Sequence, residues 1–289
     1  MPLPGGRTLD LGERTLVMGI LNVSPDSFAE RVPLADSAAA LDAALALEAA
    51  GADIIDIGGE STRPGAQPVP EDEERRRVLP VVAAAAARLA VPISVDTYKA
   101  GVARAAIDAG ASIVNDISGL RYDAALGDVV ASTGAALVLM HTRGRSREMY
   151  REAVYEAVTS EVVSELGWSL ERARQAGIAT GRTILDPGFG FAKRPEHSYR
   201  LLASLGALAV LDRPLLVGVS RKSFLAGALG DRPPSERDWG TAAAVTAAIL
   251  GGAHVVRVHA VAEMVQVARV ADQLRRHATD VGGRGSVDL

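Results

Sequence analysis

One short phrase recurs along the chain: Gly-Ala, then a β-branched or aliphatic run that ends on a polar residue. It reads Gly51-Ala52-Asp53-Ile54-Ile55-Asp56, Gly110-Ala111-Ser112-Ile113-Val114-Asn115 and Gly252-Ala253-His254-Val255-Val256-Arg257, with a fourth copy from Gly134 to His141. The glycine supplies the left-handed turn that ends a helix, and the apolar run starts a strand buried on both faces. Leu16–Asn22, Val91–Asp96, Thr183–Asp186 and Leu215–Ser220 raise the count to eight strand candidates. Their mean spacing is about 34 residues, the size of a strand, a helix and two loops. Eight such steps predict an α/β protein folded as a single (β/α)8 barrel, or TIM barrel, over residues 1–278, with a Gly-rich polar tail over 279–289 that frays. An open doubly wound sheet fits the same alternation. Against it, no Gly-x-Gly-x-x-Gly follows the first strand and no Walker-type loop occurs, which also argues against a dinucleotide or NTP site.

Composition narrows the chemistry. Hydrophobic residues make up 48% of the 289 residues but aromatics only 4%, so the interior is expected to be built from Ala, Val, Leu and Ile, which let helices pack closely on strands. With no cysteine, disulfides, thiolate nucleophiles, Fe–S clusters and cysteine zinc sites are excluded. The net charge of −4 gives no broad attraction to nucleic acid or anionic lipid, so any phosphate must be held by a local cluster. Met1 to Gly6 lacks the basic start and apolar run of a secretory signal, and a cytoplasmic protein is expected. The apolar stretch Gly240–Val256 is interrupted by two threonines, a Gly-Gly pair and His254, which suits a helix, turn and strand better than a membrane span.

In a parallel barrel the carboxyl ends of all strands meet at one rim. The residues that end the apolar runs are Asn22, Asp56, Asp96, Asn115, His141, Asp186, Ser220 with Arg221 and Lys222, and Arg257 with His259. Asp56, Asn115 and Arg257 share an offset of five from their glycine, and His259 lies two further on, so all are expected to point the same way. Each has a bland reading. Asp186 before Pro187-Gly188 suits a turn, Asp96 a helix N-terminal charge, Asn115-Asp116 a turn, Arg257 the surface, and His141 or His259 the core. Together they outweigh those readings, because a buried ionisable group costs about 2–5 kcal/mol unless it is paired or bound to ligand. Asp96, Asn115 and Asp186 suit a planar heterocycle with an amidine-like edge, and Phe189 and Phe191 are placed to supply an aromatic face. Arg63, Lys222, Arg257 and His259 form a cationic set suited to phosphate. The long connections Val23–Ala35 and Gly58–Pro70 are expected to act as lids. Trp168, Trp239 and the Glu71–Arg77 run are assigned to packing or a solvated helix face.

These residues sit in runs that resemble the dihydropteroate synthases, pterin-binding barrel enzymes of folate biosynthesis, from about Leu16 to His277. The runs are Met18–Phe28, Gly58–Gly65 (Gly-Gly-Glu-Ser-Thr-Arg-Pro-Gly), Ser94–Thr97, Asn115–Ile117, Leu185–Phe191 (Leu-Asp-Pro-Gly-Phe-Gly-Phe), Gly218–Lys222 and Arg257–His259. The resemblance implies condensation of 6-hydroxymethyl-7,8-dihydropterin diphosphate with p-aminobenzoate. It assigns Asp96, Asn115, Asp186 and Lys222 to the pterin, with Met140, Phe191 and Gly218 at its slot. It assigns Asn22 to Mg²⁺ and diphosphate, Arg63, Arg257 and His259 to diphosphate, and Thr62, Arg63, Pro64 and Ser223 to the p-aminobenzoate pocket. A homodimer is implied as well. The chain departs from the family after Phe28, where Ala29-Glu30-Arg31-Val32-Pro33 replaces a Ser-Asp-Gly-Gly run, and at Ala260, where Asp is common. Two other activities remain open here. A pterin-dependent methyltransferase barrel would share the acidic set without needing the cations, and a silent pterin-binding protein would bind without turnover.

Overall fold

The computed structural model describes residues 1–23, 37–63, 65–145 and 149–281. Eight parallel strands form the centre: β1 (Leu16–Asn22), β2 (Ile54–Gly58), β3 (Ile93–Asp96), β4 (Ile113–Asp116), β5 (Ala136–Met140), β6 (Thr183–Asp186), β7 (Leu216–Val217) and β8 (Val255–Val258). Their order is β6-β5-β4-β3-β2-β1-β8-β7. The ring is completed between β6 and β7 by a single bridge, Leu185 to Leu215, and by the Leu185 amide, which donates to the Pro214 carbonyl at 2.9 Å. Around it run α1 (Ser37–Ala49), α2 (Glu71–Ala86), α3 (Ala100–Asp108), α4 (Leu126–Thr133), α5 (Val158–Gln175), α6 (Pro195–Ala203), α7 (Ala226–Leu229), α8 (Asp238–Leu250) and α9 (Val261–Val281). This is the (β/α)8 barrel expected from the repeated phrase. The phrase glycines Gly51, Gly110, Gly134 and Gly252 all have positive φ, as their role at helix ends requires. None of the described helices is long and apolar enough to cross a membrane.

Alternation along each strand sorts the apolar residues into two cores. Leu16, Met18, Ile54, Ile113, Val138, Ile184, Leu216 and Val255 fill the barrel interior. Their out-of-phase neighbours, among them Val17, Ile55, Val114, Leu137, Leu185 and Val256, pack under the helices. Each such side chain, fully buried, stabilises by about 1.5–3 kcal/mol. Leu3 and Leu9 join the interior cluster, held by the Met1 ammonium, which donates to the Leu9 carbonyl at 2.8 Å. The amino-terminal segment thus plugs the barrel at the strands' starting end, leaving the other end as the mouth.

Several local expectations are corrected. β7 is shorter than Leu215–Ser220, because the chain leaves the ladder beyond Val217 and turns through Arg221 at φ 57°. The Glu71–Arg77 run is not wholly solvated: Glu74 is buried and ion-paired with Lys99. Trp168 and Trp239 pack against little, being 62% and 89% exposed. The Val23–Ala35 loop lies, beyond Val23, outside the described residues, as does the end of the chain after Val281.

Candidate active site

Inward-pointing residues nearest the strand ends continue the interior positions upward, in phase with Ile54, Ile113, Ile184, Leu216 and Val255. They are Asp56, Asn115, Asp186, Gly218 and Arg257, so the shared offset read from the sequence does bring distant residues together. Arg257 pairs with Met18 in the β1–β8 ladder, below the level of Asp56, and its long side chain rises to the acids. Its Nε donates to Asp56 Oδ2 at 2.6 Å and its Nη2 to Asp96 Oδ2 at 2.8 Å. Asn115 Nδ2 donates to the same Asp56 oxygen at 3.1 Å. Four strands are joined through one guanidinium, two carboxylates and one amide.

This cluster corrects the division into an acidic half and a cationic half, because Arg257 sits within the acids. Burial works against its charge, but Asp56 and Asp96 more than offset it and raise its pKa. Burial pushes Asp96 up to about 7, with Arg257 opposing and Asp56 adding to the shift. Asp186 is likewise raised by burial. Both readings of Asp186 hold: Oδ1 accepts from the Gly188 amide at 2.7 Å, closing the turn, while the side chain remains on the inward face of β6. Gly188 is required there at φ 70°, since an added Cβ would lie 1.9 Å from the His141 carbonyl oxygen.

Above the cluster opens a cavity of about 410 Å³. Asn22, Asp96, Phe191, Lys222, Arg257 and His259 line it, and Thr62, Arg63 and Ser223 form its outer wall. Met140 packs with Tyr98 and Ile117 against Phe191. Asn115, Met140, Asp186 and Gly218 are not on the cavity wall, and Pro64 lies outside the described residues. Lys222 Nζ stands 4.0 Å from the centre of the Phe191 ring, and burial lowers its pKa to about 8 against the pull of Asp186.

Three expectations change here. Phe189 is fully buried and packs on Phe224 at a centroid distance of 6.3 Å, so only Phe191 faces the mouth. The positive-φ glycines Gly188 and Gly190 break the alternation that put both rings together. His141 is a core histidine, buried on the helix side and bonded to Glu165. His259 is not a cation. Its own amide donates to Ser220 Oγ at 3.1 Å, and the same hydroxyl lies 2.9 Å from His259 Nδ1. Burial together with Arg257 lowers the ring pKa to about 3, which favours the neutral form.

Sequence reasoning missed three contributors. Asp56 was placed at the rim without a role, although the offset it shares with Asn115 and Arg257 pointed to their meeting. Glu60 lines the cavity and fastens the base of the Gly58–Pro70 connection: it accepts from Tyr98 Oη at 2.9 Å, the Val69 amide at 3.0 Å and Lys99 Nζ at 2.5 Å. Arg237 also lines the cavity and donates to the Arg221 carbonyl at 3.1 Å. Only its place just before α8 hinted at it.

A parallel barrel whose mouth joins buried carboxylates and an amide to an aromatic wall and several cations is the architecture of the pterin-binding enzymes. The family model described as pterin binding enzyme matches residues 18–259, and the chain belongs to that family. Within it, the chain belongs among the dihydropteroate synthases. It is 46% identical over 276 residues to the dihydropteroate synthase of Synechocystis sp., covering 95% of this chain and 96% of that one. The Yersinia pestis dihydropteroate synthase, solved in a sulfonamide drug complex, superposes with a TM-score of 0.91 at 42% identity, covering 96% and 99% of the two chains. The Xanthomonas albilineans enzyme, solved with 7,8-dihydropteroate, gives a TM-score of 0.84 at 40% identity, covering 93% and 97%.

Proposed function

We propose that this chain condenses 6-hydroxymethyl-7,8-dihydropterin diphosphate with p-aminobenzoate, releasing diphosphate and forming 7,8-dihydropteroate. The observation that carries this reading is the placing of Asp96 and Lys222 on one cavity wall, with Arg63 at its outer edge. A methyl-transferring barrel has no use for those cations. The CH₂–O bond breaks first, and its electron pair leaves with the diphosphate. The cation left on the pterin methylene is shared with the ring, where the Asp96 and Asp186 carboxylates stabilise it. Asn115 holds the ring edge, while Met140, Phe191 and Gly218 form the slot. The lone pair of the p-aminobenzoate nitrogen then forms the C–N bond, and one proton is released. Lys222 holds the ring with Asn115, and Arg63, Arg257 and the neutral His259 ring hold the departing oxygens. Thr62, Arg63, Pro64 and Ser223 shape the p-aminobenzoate pocket.

The donor chemistry at Asn22 suits Mg²⁺. Its amide faces the cavity and makes no side-chain hydrogen bond among the described residues, and Mg²⁺ prefers one or two protein oxygens completed by phosphate and water. Mg²⁺ bound there would neutralise charge on the diphosphate. Diphosphate release that requires both substrates and is abolished by chelation supports the proposal. Pterin binding in calorimetry without diphosphate release refutes it in favour of a silent binding protein. A homodimer in the cytoplasm is also proposed. Exposed Leu250, Val270 and Leu274 on the packed α8–α9 pair support the dimer, and a diphosphate ester does not cross bilayers. Light scattering of the purified protein tests the dimer, and a monomer at assay concentration refutes it.

A further inference from the structure

Behind the mouth, on the helix side of β5 and β6, lies a buried polar chain that the proposed condensation does not use. At its centre is Lys193, 1% exposed. Its Nζ is 2.8 Å from His141 Nδ1, 3.0 Å from the Gly188 carbonyl and 3.1 Å from the Phe191 carbonyl, with the His141 carbonyl more distant at 3.4 Å. A carbonyl can only accept, so Nζ donates to Gly188 and Phe191 whether the amine carries two hydrogens or three. The other ring nitrogen of His141, Nε2, lies 3.0 Å from Glu165 Oε2. Burial and the Lys193 charge lower the His141 pKa to about 3. Glu165 is in turn paired with Arg143. Burial pushes the Lys193 pKa well below its ordinary value, against the pull of Asp186, so its place rests on hydrogen bonding and not on a fixed charge.

The two carbonyls that Lys193 holds bracket the segment that closes the pterin slot. Just before the first, the Gly188 amide donates to Asp186; the second belongs to Phe191, whose ring lies beneath Lys222. Between and beyond them, Gly188, Gly190 and Ala192 all have positive φ, at 70°, 76° and 47°. A backbone of that shape forms no ladder of its own and depends on a cross-tie to keep one geometry.

We propose that Lys193 is a positioning residue: by holding the Gly188 and Phe191 carbonyls it sets Asp186 and Phe191 for the pterin ring. The proposal rests on the reading of the mouth as a pterin site. Lys193 touches no substrate, so its effect falls on one substrate and not on the other.

Steady-state kinetics of the purified full chain tests this. Lys193→Met removes every donor, and the KM for pterin diphosphate is expected to rise about tenfold while that for p-aminobenzoate stays within about twofold. Lys193→Gln keeps two hydrogens but is one atom shorter, so it holds the two carbonyls less well, and a rise of about threefold in pterin KM is expected. Circular dichroism establishes that each variant is folded. Equal rises in both KM values, or an unchanged pterin KM in either folded variant, overturn the proposal. If Lys193→Met does not fold, Lys193→Gln decides alone, and failure of both to fold assigns Lys193 to stability only, which also overturns it. A parent protein that releases no diphosphate refutes the pterin reading itself. A parent that turns over while its variants match it refutes only the role of Lys193.

Discussion

Asp56 offers the sharpest test of the site, because both of its bonds fall on one oxygen. Its side chain is fully buried, Oδ2 accepts from Arg257 Nε and Asn115 Nδ2, and Oδ1 has no partner among the described residues. Asp56→Ala removes a charge-assisted bond of about 1.5–3 kcal/mol and a neutral one of about 1 kcal/mol. It also leaves the guanidinium with Asp96 alone, and a total loss of about 3–5 kcal/mol is expected, in the range for breaking a buried pair. Asp56→Asn is different. An amide with its oxygen at the Oδ2 position keeps both bonds but loses the charge and puts an NH₂ where Oδ1 has no partner, so the loss is about 1–3 kcal/mol. Urea denaturation followed by far-UV circular dichroism measures both, and the geometry requires a gap of about 2 kcal/mol. Losses equal to within about 0.5 kcal/mol would refute the shared-oxygen arrangement, since that difference is at the limit of additivity. The same Asp56→Asn change removes a negative neighbour that raises Asp96. The acidic limb of kcat/KM set by Asp96 near pH 7 therefore moves to lower pH.

Other outcomes follow from the cavity wall. With Lys222 at about 8, raising the pH past that value removes its proton and the cation that holds the pterin ring, so kcat/KM falls on the alkaline side. Lys222→Arg keeps its proton and abolishes that fall; an unchanged alkaline limb assigns it to another group. Because His259 serves as a neutral donor, His259→Gln keeps an N–H and loses less than about tenfold in kcat/KM, whereas His259→Ala loses about a hundredfold. Equal losses would mean that a cation is needed. Gly188→Ala forces a Cβ onto the His141 carbonyl and moves the turn that carries Asp186, costing more than about 3 kcal/mol in thermal denaturation together with turnover. A stable, active Gly188→Ala protein refutes that close approach.

The architecture was legible because strand ends repeat a phrase whose glycine, β-branched pair and polar terminus each have one physical meaning. Much of the mouth was legible for the same reason: Asp56, Asn115 and Arg257 share a phase, and phase fixes direction. What the sequence hid depended on chain reach and on broken phase. Nothing in the spacing says that Arg257 rises past its own level to pair with Asp56 and Asp96, which merged two halves expected to be separate. Phe189 and Phe191 looked equivalent until two positive-φ glycines turned one into the core. The charge of His259 was hidden because it depends on burial and on Arg257 nearby, which its place in the sequence does not show.

Between β6 and β7 the ring of strands is a hoop with one weak link, closed among the described residues by the bridge of Leu185 to Leu215. Asp186 stands on one side of that link, and Gly218 and Lys222 follow on the other. A flat guest that grips both sides adds, across the gap, the bonds a two-residue strand does not make. Filling the mouth and tightening the hoop are then one equilibrium, so each tenfold excess of guest over its Kd adds about 1.4 kcal/mol to the barrel's resistance to unfolding. That gain is read most directly as slower amide exchange at the Leu185 side of the link.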